Sequence, residues 1–167
     1  MGRAPSNGKN GATMVEIVSA DSAEEIAAAK SLIRDYVASI GVDLSFQNFD
    51  AEMEDFPAIY CALLLAKEGE QYVGVVALKK LSEGICEMKR MYCHPAYRGS
   101  GIGRALSEAL IKTASAQGFT KMRLDTVLAA KESLALYRKL GFEEIAPYYE
   151  NPLDDVIYME LCLNRQS

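Results

Sequence analysis

Long apolar runs are missing from this chain. The longest, Cys61 to Ala66, falls far short of the roughly 20 residues needed to cross a bilayer. No secretory signal precedes it, so the expectation is a soluble, cytoplasmic protein with no membrane partner. Cysteine spacing suited to a metal is missing too. Cys61, Cys86, Cys93 and Cys162 form no CxxC pair, and each sits in or beside an apolar strand-like run. That predicts reduced, packed thiols, with neither a disulfide nor a metal site. Basic residues are outnumbered, 18 against 23 acidic ones, for a formal net charge of -5. Nucleic acid is thereby disfavoured as a partner, because meeting phosphates takes a clustered Lys/Arg surface; a cationic substrate suits the balance better. The only histidine, His94, lies in a loop and gives no basis for a His-centred triad.

Repeats, low-complexity tracts and Pro/Gly/Ser-rich linkers are also lacking beyond the first residues. With 167 residues, half of them hydrophobic and a quarter charged, the chain suits one domain around one core. Met1 to Thr13, small, polar and without periodicity, reads as a disordered leader, which places the domain at 14–164.

What is present is a clear succession of elements. Val15 to Val18 reads as an opening strand. Ser22 with Glu25 three residues on makes a capping box for a helix that reaches about Ile40, with Ile26, Ala29, Ile33 and Val37 on one face and Gly41 as its stop. A short helix is predicted over Asp50 to Asp55, ended by Pro57. Cys61 to Lys67 and Gln71 to Leu78 flank a Gly-containing turn and read as an antiparallel hairpin, followed by a strand from Ile85 to Cys93. Ile102, Leu106, Leu110 and Ala114 stripe a helix over Gly101 to Gln117. Then come a strand at Met122 to Leu128, a helix at Glu132 to Leu140, and strands at Phe142 to Ala146 and Val156 to Leu163.

The stretch Tyr97-Arg98-Gly99-Ser100-Gly101-Ile102-Gly103-Arg104 lies between a strand and a helix. A helix start leaves amides without internal partners and so offers an anion site. Glycines permit close backbone approach there, and Arg98 and Arg104 add charge for phosphate oxygens. A plain tight turn would use similar residues. The dinucleotide fingerprint G-x-G-x-x-G is not met, since the glycines fall at 99, 101 and 103.

A strand, His94-Pro95 and then Arg-x-x-Gly-x-Gly at a helix start resembles the acetyl-CoA motif of the GNAT N-acetyltransferases, and Leu136-Tyr137-Arg138-Lys139-Leu140-Gly141-Phe142 resembles that family's second motif. Pro147-Tyr148-Tyr149-Glu150-Asn151-Pro152, followed by Tyr158-Met159-Glu160-Leu161, is similar to a bacterial subgroup of these enzymes. The resemblance covers Val15 to about Leu163. It implies an α/β (α+β) GNAT fold: a mixed, mostly antiparallel twisted sheet of six to seven strands, about four flanking helices, and a splay between the fourth and fifth strands. It implies acetyl-CoA as cosubstrate and no metal. Arg98, Gly99, Ser100, Gly101, Ile102, Gly103 and Arg104 would hold the pyrophosphate, and the backbone of Met91, Tyr92 and Cys93 the pantetheine arm.

Transfer of an acetyl group to an amine needs the amine neutral, although an alkylammonium has a pKa of about 10.4. Glu87 occupies the position of the family's strand-four base, acting directly or through water; a solvent-facing charge, or one paired with Lys89 or Arg90, is the other reading. The departing thiolate needs a proton donor. Tyr137 matches the family's general acid, against the alternative of a core aromatic beside Leu136 and Leu140. One departure stands out: Ala130 occupies the place of an Asn that contacts cofactor or substrate in many members.

Placement alone offers Phe46, Asp55, Tyr148, Tyr149 and Asn151 as pocket residues for a small amine, an amino acid derivative or a peptide N-terminus, with Asp125 and Thr126 either lining a pocket or solvated. A non-catalytic acyl-CoA sensor and a nucleotide-binding protein are rival readings. Exposed sheet edges admit a homodimer.

Overall fold

The computed structural model describes residues 15–41 and 49–163; the leader at 1–13 and Phe46 lie outside the described residues. Strand β1 (Val15–Ser19) leads into helix α1 (Ala23–Ile40). The capping box forms as the spacing predicts: the Glu25 amide donates to Ser22 Oγ at 3.1 Å and the Ser22 amide donates to Glu25 Oε1 at 2.9 Å. Gly41 closes the helix in the left-handed region at φ 63°. The face of α1 that is fully buried is narrower than the sequence stripe. Ala29, Leu32 and Ile33 are covered, whereas Ile26 and Val37 stay half-buried, because the contact is concentrated at mid-helix.

Helix α2 (Phe49–Glu54) precedes a meander of β2 (Ala62–Glu68), β3 (Gln71–Ser82) and β4 (Ile85–Cys93). A single 3-10 turn, Pro95–Tyr97, then leads to α3 (Ile102–Ala116), β5 (Lys121–Val127), α4 (Lys131–Lys139), β6 (Glu143–Ile145) and β7 (Val156–Cys162). The seven strands make one sheet in the order β1-β2-β3-β4-β5-β7-β6, antiparallel everywhere except between β4 and β5. Each face of the sheet has its own core. Leu106, Leu110 and Ala114 of α3, with Leu134 of α4, pack on Val76, Leu78, Met88, Met122 and Met159. On the opposite face Ala29, Leu32 and Ile33 pack with Met53 on Leu65, Val75, Ala77 and Tyr92. Gly74 lets α3 lie close, since a Cβ there would stand 3.0 Å from Leu106 Cδ1 and 3.2 Å from the Tyr92 carbonyl.

An irregularity in β4 reorganises that strand. Val75 pairs with Tyr92 and Ala77 with Lys89, so Arg90 and Met91 together oppose Val76. This is a β-bulge, and Arg90 takes the left-handed conformation at φ 60°. The extra residue inverts the alternation: Tyr92 joins the α1-side core, while Met91 and Cys93 pack on the α3 side.

Arg90 is buried and does not pair with Glu87. Its Nε donates to Glu52 Oε2 at 3.0 Å and its Nη2 to Glu52 Oε1 at 2.7 Å, and the guanidinium lies 5.3 Å from the centre of the Phe49 ring. This bidentate pair ties α2 to the bulge. One expectation about the thiols is corrected: Cys61 is exposed, because it precedes β2 instead of sitting inside it, while Cys86 is fully buried. Burial raises the Cys86 thiol to about 12.

Removing one partner of a buried ion pair leaves the other charge uncompensated, at a cost of about 3–5 kcal/mol. Glu52→Ala is therefore expected to lower the unfolding free energy by about that amount in urea titrations. A loss under about 1 kcal/mol would show that the pair does not anchor α2.

Candidate active site

Strands β4 and β5 pair over only three positions, Ile85 with Lys121, Cys86 with Met122 and Glu87 with Arg123. Beyond Glu87 they part. Two cavities, of about 660 Å³ and about 410 Å³, open into this gap and share Tyr36, Ile40, Met91, Ala130, Ser133 and Tyr137 in their walls. They form one cleft with Tyr137 at the waist.

The larger cavity runs past Met91, Tyr92 and Cys93 to Arg98, Gly99, Gly101, Ile102 and Gly103. Gly99 and Gly101 adopt φ 85° and 87°, a conformation that side-chain-bearing residues rarely take, and a Cβ at either would meet nothing within 4 Å. Backbone conformation, more than crowding, calls for these two glycines. No side chain caps α3. Its first bond runs from the Ala105 amide to the Gly101 carbonyl at 3.0 Å, so the amides of Ile102, Gly103 and Arg104 precede the intrahelical ladder. Arg98 is held at the mouth, with Nε donating to the Cys93 carbonyl at 3.0 Å and the guanidinium 5.6 Å from the Tyr92 ring centre.

Ser100 and Arg104 are placed differently. The Ser100 hydroxyl donates to the Tyr97 carbonyl, and Arg104 pairs with Glu108 at 2.9 Å; neither lines the cavity. His94 accepts from the Ala96 amide at 3.1 Å through Nδ1, capping the 3-10 turn.

The smaller cavity is lined by Glu87, Lys89, Arg90, Asp125, Thr126 and Asn151, among others. Glu87 is only 6% exposed, which removes the solvent-facing reading. Its Oε2 accepts from the Tyr148 hydroxyl at 2.7 Å, and its Oε1 lies 3.8 Å from Lys89 Nζ. Asp125 accepts from the Tyr149 hydroxyl, which also accepts from Asn151 Nδ2 at 2.9 Å. The Leu153 amide donates to Asn151 Oδ1 at 2.9 Å and the Tyr158 hydroxyl to the Tyr149 carbonyl at 3.2 Å. Rings 148, 149 and 158 meet edge-to-face at 5.3–5.7 Å. The loop between β6 and β7 is thus a roof whose two adjacent phenols each hold a carboxylate, one from β4 and one from β5.

Burial is the main cause that raises the Tyr148 and Tyr149 phenols above their ordinary value, reinforced by Glu87 and Asp125 respectively. Tyr137, packed edge-on to Phe142 with ring centres 5.7 Å apart, is raised by burial as well. Asp55 is exposed and lines neither cavity. Ala130 sits at the waist, one turn before Ser133, whose side of α4 faces both cavities. Sequence reading left Asp125 outside the catalytic group and did not link either Tyr of the adjacent pair to a carboxylate. The only available signal was two phenols in succession, and their partners are 61 and 24 residues away.

The pattern of the Acetyltransferase (GNAT) family matches residues 27–142. An uncharacterised N-acetyltransferase of Schizosaccharomyces pombe is 34% identical over 142 residues, which cover 81% of this chain and 87% of the relative. One of Dictyostelium discoideum is 27% identical over 206 aligned positions, covering 84% and 95%. Among solved structures, an acetyltransferase of Streptococcus agalactiae superposes with a TM-score of 0.72 at 23% identity, over 89% of this chain and 98% of that one. A Salmonella typhimurium acetyltransferase solved with its cofactor acetyl-CoA gives 0.68 at 22% identity, over 89% and 94%.

The three raised phenols set an alkaline limit. Tyrosine in an unfolded chain titrates near about pH 10, whereas these titrate above it in the fold. Above pH 10 the unfolded state therefore binds fewer protons than the folded one, so the stability that is complete below that pH falls as pH rises. Tyr36, Tyr158, Cys86 and Cys93 are raised by burial too and act in the same sense, the thiols from their lower ordinary value upward; Lys89, lowered by burial, acts in the opposite sense. Unfolding free energies from urea titrations should hold to about pH 8.5 and then fall, with a slope near about 1.4 kcal/mol per pH unit for each phenol or thiol kept protonated. Tyr148→Phe should make the drop shallower; an unchanged slope would mean that Tyr148 titrates normally.

Proposed function

This chain belongs to the GNAT acetyltransferase family, and on that premise we propose that it transfers an acetyl group from acetyl-CoA to a primary amine by direct attack within a ternary complex. The acceptor is a small molecule, an amino acid derivative or a peptide. The observation that carries the proposal is the two-part cleft: an uncapped helix start at one end, a buried carboxylate at the other, and Tyr137 where they meet.

The larger cavity suits CoA on chemical grounds. Its mouth has three helix-start amides, the exposed Arg98 beside them, and glycines with open space where a Cβ would lie, which together favour a pyrophosphate. The pantetheine arm would then run along Met91, Tyr92 and Cys93, bringing the thioester toward Tyr137. Amine nitrogen attacks the thioester carbonyl carbon, the C–S bond breaks, and the N–H proton passes to Glu87, directly or through water. Tyr148 occupies Glu87 Oε2, so the proton would go to Oε1, which stands 3.8 Å from Lys89 Nζ. Tyr137, kept protonated by burial, offers its hydrogen to the sulfur as negative charge builds there.

The first experiment is titration calorimetry with acetyl-CoA beside ADP and NAD, followed by thiol release on adding amines. Selective acetyl-CoA binding with amine-dependent release is the expected result; equal binding of the three would point to a general nucleotide site. Arg98→Ala is expected to weaken acetyl-CoA binding by about 1–3 kcal/mol through loss of a charge-assisted contact, and unchanged affinity would remove Arg98 from the phosphate site. Tyr137→Phe should lower kcat by a larger factor than it changes acetyl-CoA affinity. If the rate survives, Tyr137 is packing alone.

A further inference from the structure

The smaller cavity is lined by four charged side chains, and their hydrogen bonds are unevenly committed. Arg90 has both Nε and Nη2 on Glu52. Asp125 takes the Tyr149 hydroxyl, and Glu87 takes the Tyr148 hydroxyl on one oxygen. Lys89 is different. Its side chain is 14% exposed, it lines the cavity, and its nearest carboxylate oxygen, Glu87 Oε1, stands at 3.8 Å, beyond hydrogen-bond length. The ammonium thus has a long ion pair to Glu87 and no hydrogen bond, and desolvation lowers the Lys89 pKa against the opposing pull of Glu87. Lys89 also shares a face of β4 with Glu87, two residues away and before the bulge inverts the alternation.

We propose that Lys89 is the specificity residue for the acceptor and binds a carboxylate carried on the same carbon as the reacting amine, so that the substrate is a free α-amino acid. This rests on the amine-acetylation reading above. The spacing supplies the argument. An amine within reach of Glu87 Oε1 brings a carboxylate on its own carbon within reach of Nζ, because the two protein atoms are themselves only 3.8 Å apart. The pairing completes both sets of charges: ammonium against Glu87, carboxylate against Lys89. Tyr36, Ile40, Leu153 and Val156 then form an apolar wall for the side chain, which selects an apolar one. A peptide N-terminus offers an amide at that carbon, and a simple amine offers nothing.

The test uses acetyl-CoA with leucine, methionine and phenylalanine, their primary amides, and the corresponding decarboxylated amines. For wild type, kcat/KM with the best amino acid should exceed that with its amide and amine by about 10- to 100-fold, the value of a hydrogen bond to a charged group. In Lys89→Met and Lys89→Gln that ratio should fall toward one, and Lys89→Arg should restore part of it; melting curves identify any variant that fails to fold. Acetylation of amides and amines as efficient as that of the acids would overturn this inference and leave the amine-acetylation reading standing. A preference that persists in both folded variants would remove Lys89 from the role. No turnover of any compound in the panel would overturn this inference, while the acetylation reading stands or falls by amine-dependent thiol release with other amines.

Discussion

Parallel strands pair through backbone hydrogen bonds, and two that pair at three positions and then part expose polar backbone to whatever enters between them. Here the parting begins at Glu87 and Arg123, so the last paired residue of β4 is also the buried carboxylate of the site. The cleft, its waist at Tyr137 and its division into two cavities all follow from that short pairing. What holds the arms apart is packing on both faces: α3 and α4 fill one side, and α1 covers the other.

The bulge at Arg90 decides what each arm presents. Without the extra residue, Tyr92 would point to the α3 side, and Met91 and Cys93 would exchange faces with it. A non-glycine residue in the left-handed region is uncommon. Arg90 is fixed there by Glu52 and by the Phe49 ring, so a helix distant in sequence determines the shape of a central strand.

Local features of the fold were legible from sequence because their causes are local. The Ser22 and Glu25 cap, the Gly41 stop, the hairpin turn at Gly69 and the stripe of Ile102, Leu106, Leu110 and Ala114 depend on residues a turn or two apart, and each element falls within about two residues of its expected ends except β3, which runs on to Ser82, four residues past Leu78. The glycines of the loop before α3 were legible for the same reason. Alternation along β4 could not say which way Glu87 faces, because both faces of that strand are covered, and the later bulge that turns Met91 to Cys93 over is invisible in a residue pattern. The pairs Arg90 with Glu52 and Tyr148 with Glu87 bridge 38 and 61 residues, and nothing local announces them. Cys61 looked packed because its neighbours are apolar, yet it lies one residue outside the strand they form.

The phenol roof has a consequence for how such a protein diversifies. The span that matches the family pattern ends at residue 142, before Tyr148 and Tyr149. Those two residues reach back over the carboxylates of β4 and β5, whereas the loop before α3 and the lip of β4 belong to one contiguous segment within the matched span. The roof of the smaller cavity is thus written in a stretch of the gene separate from the loop that lines the larger one. Substitutions in the late loop can reshape the smaller cavity while the lining of the larger one stays fixed.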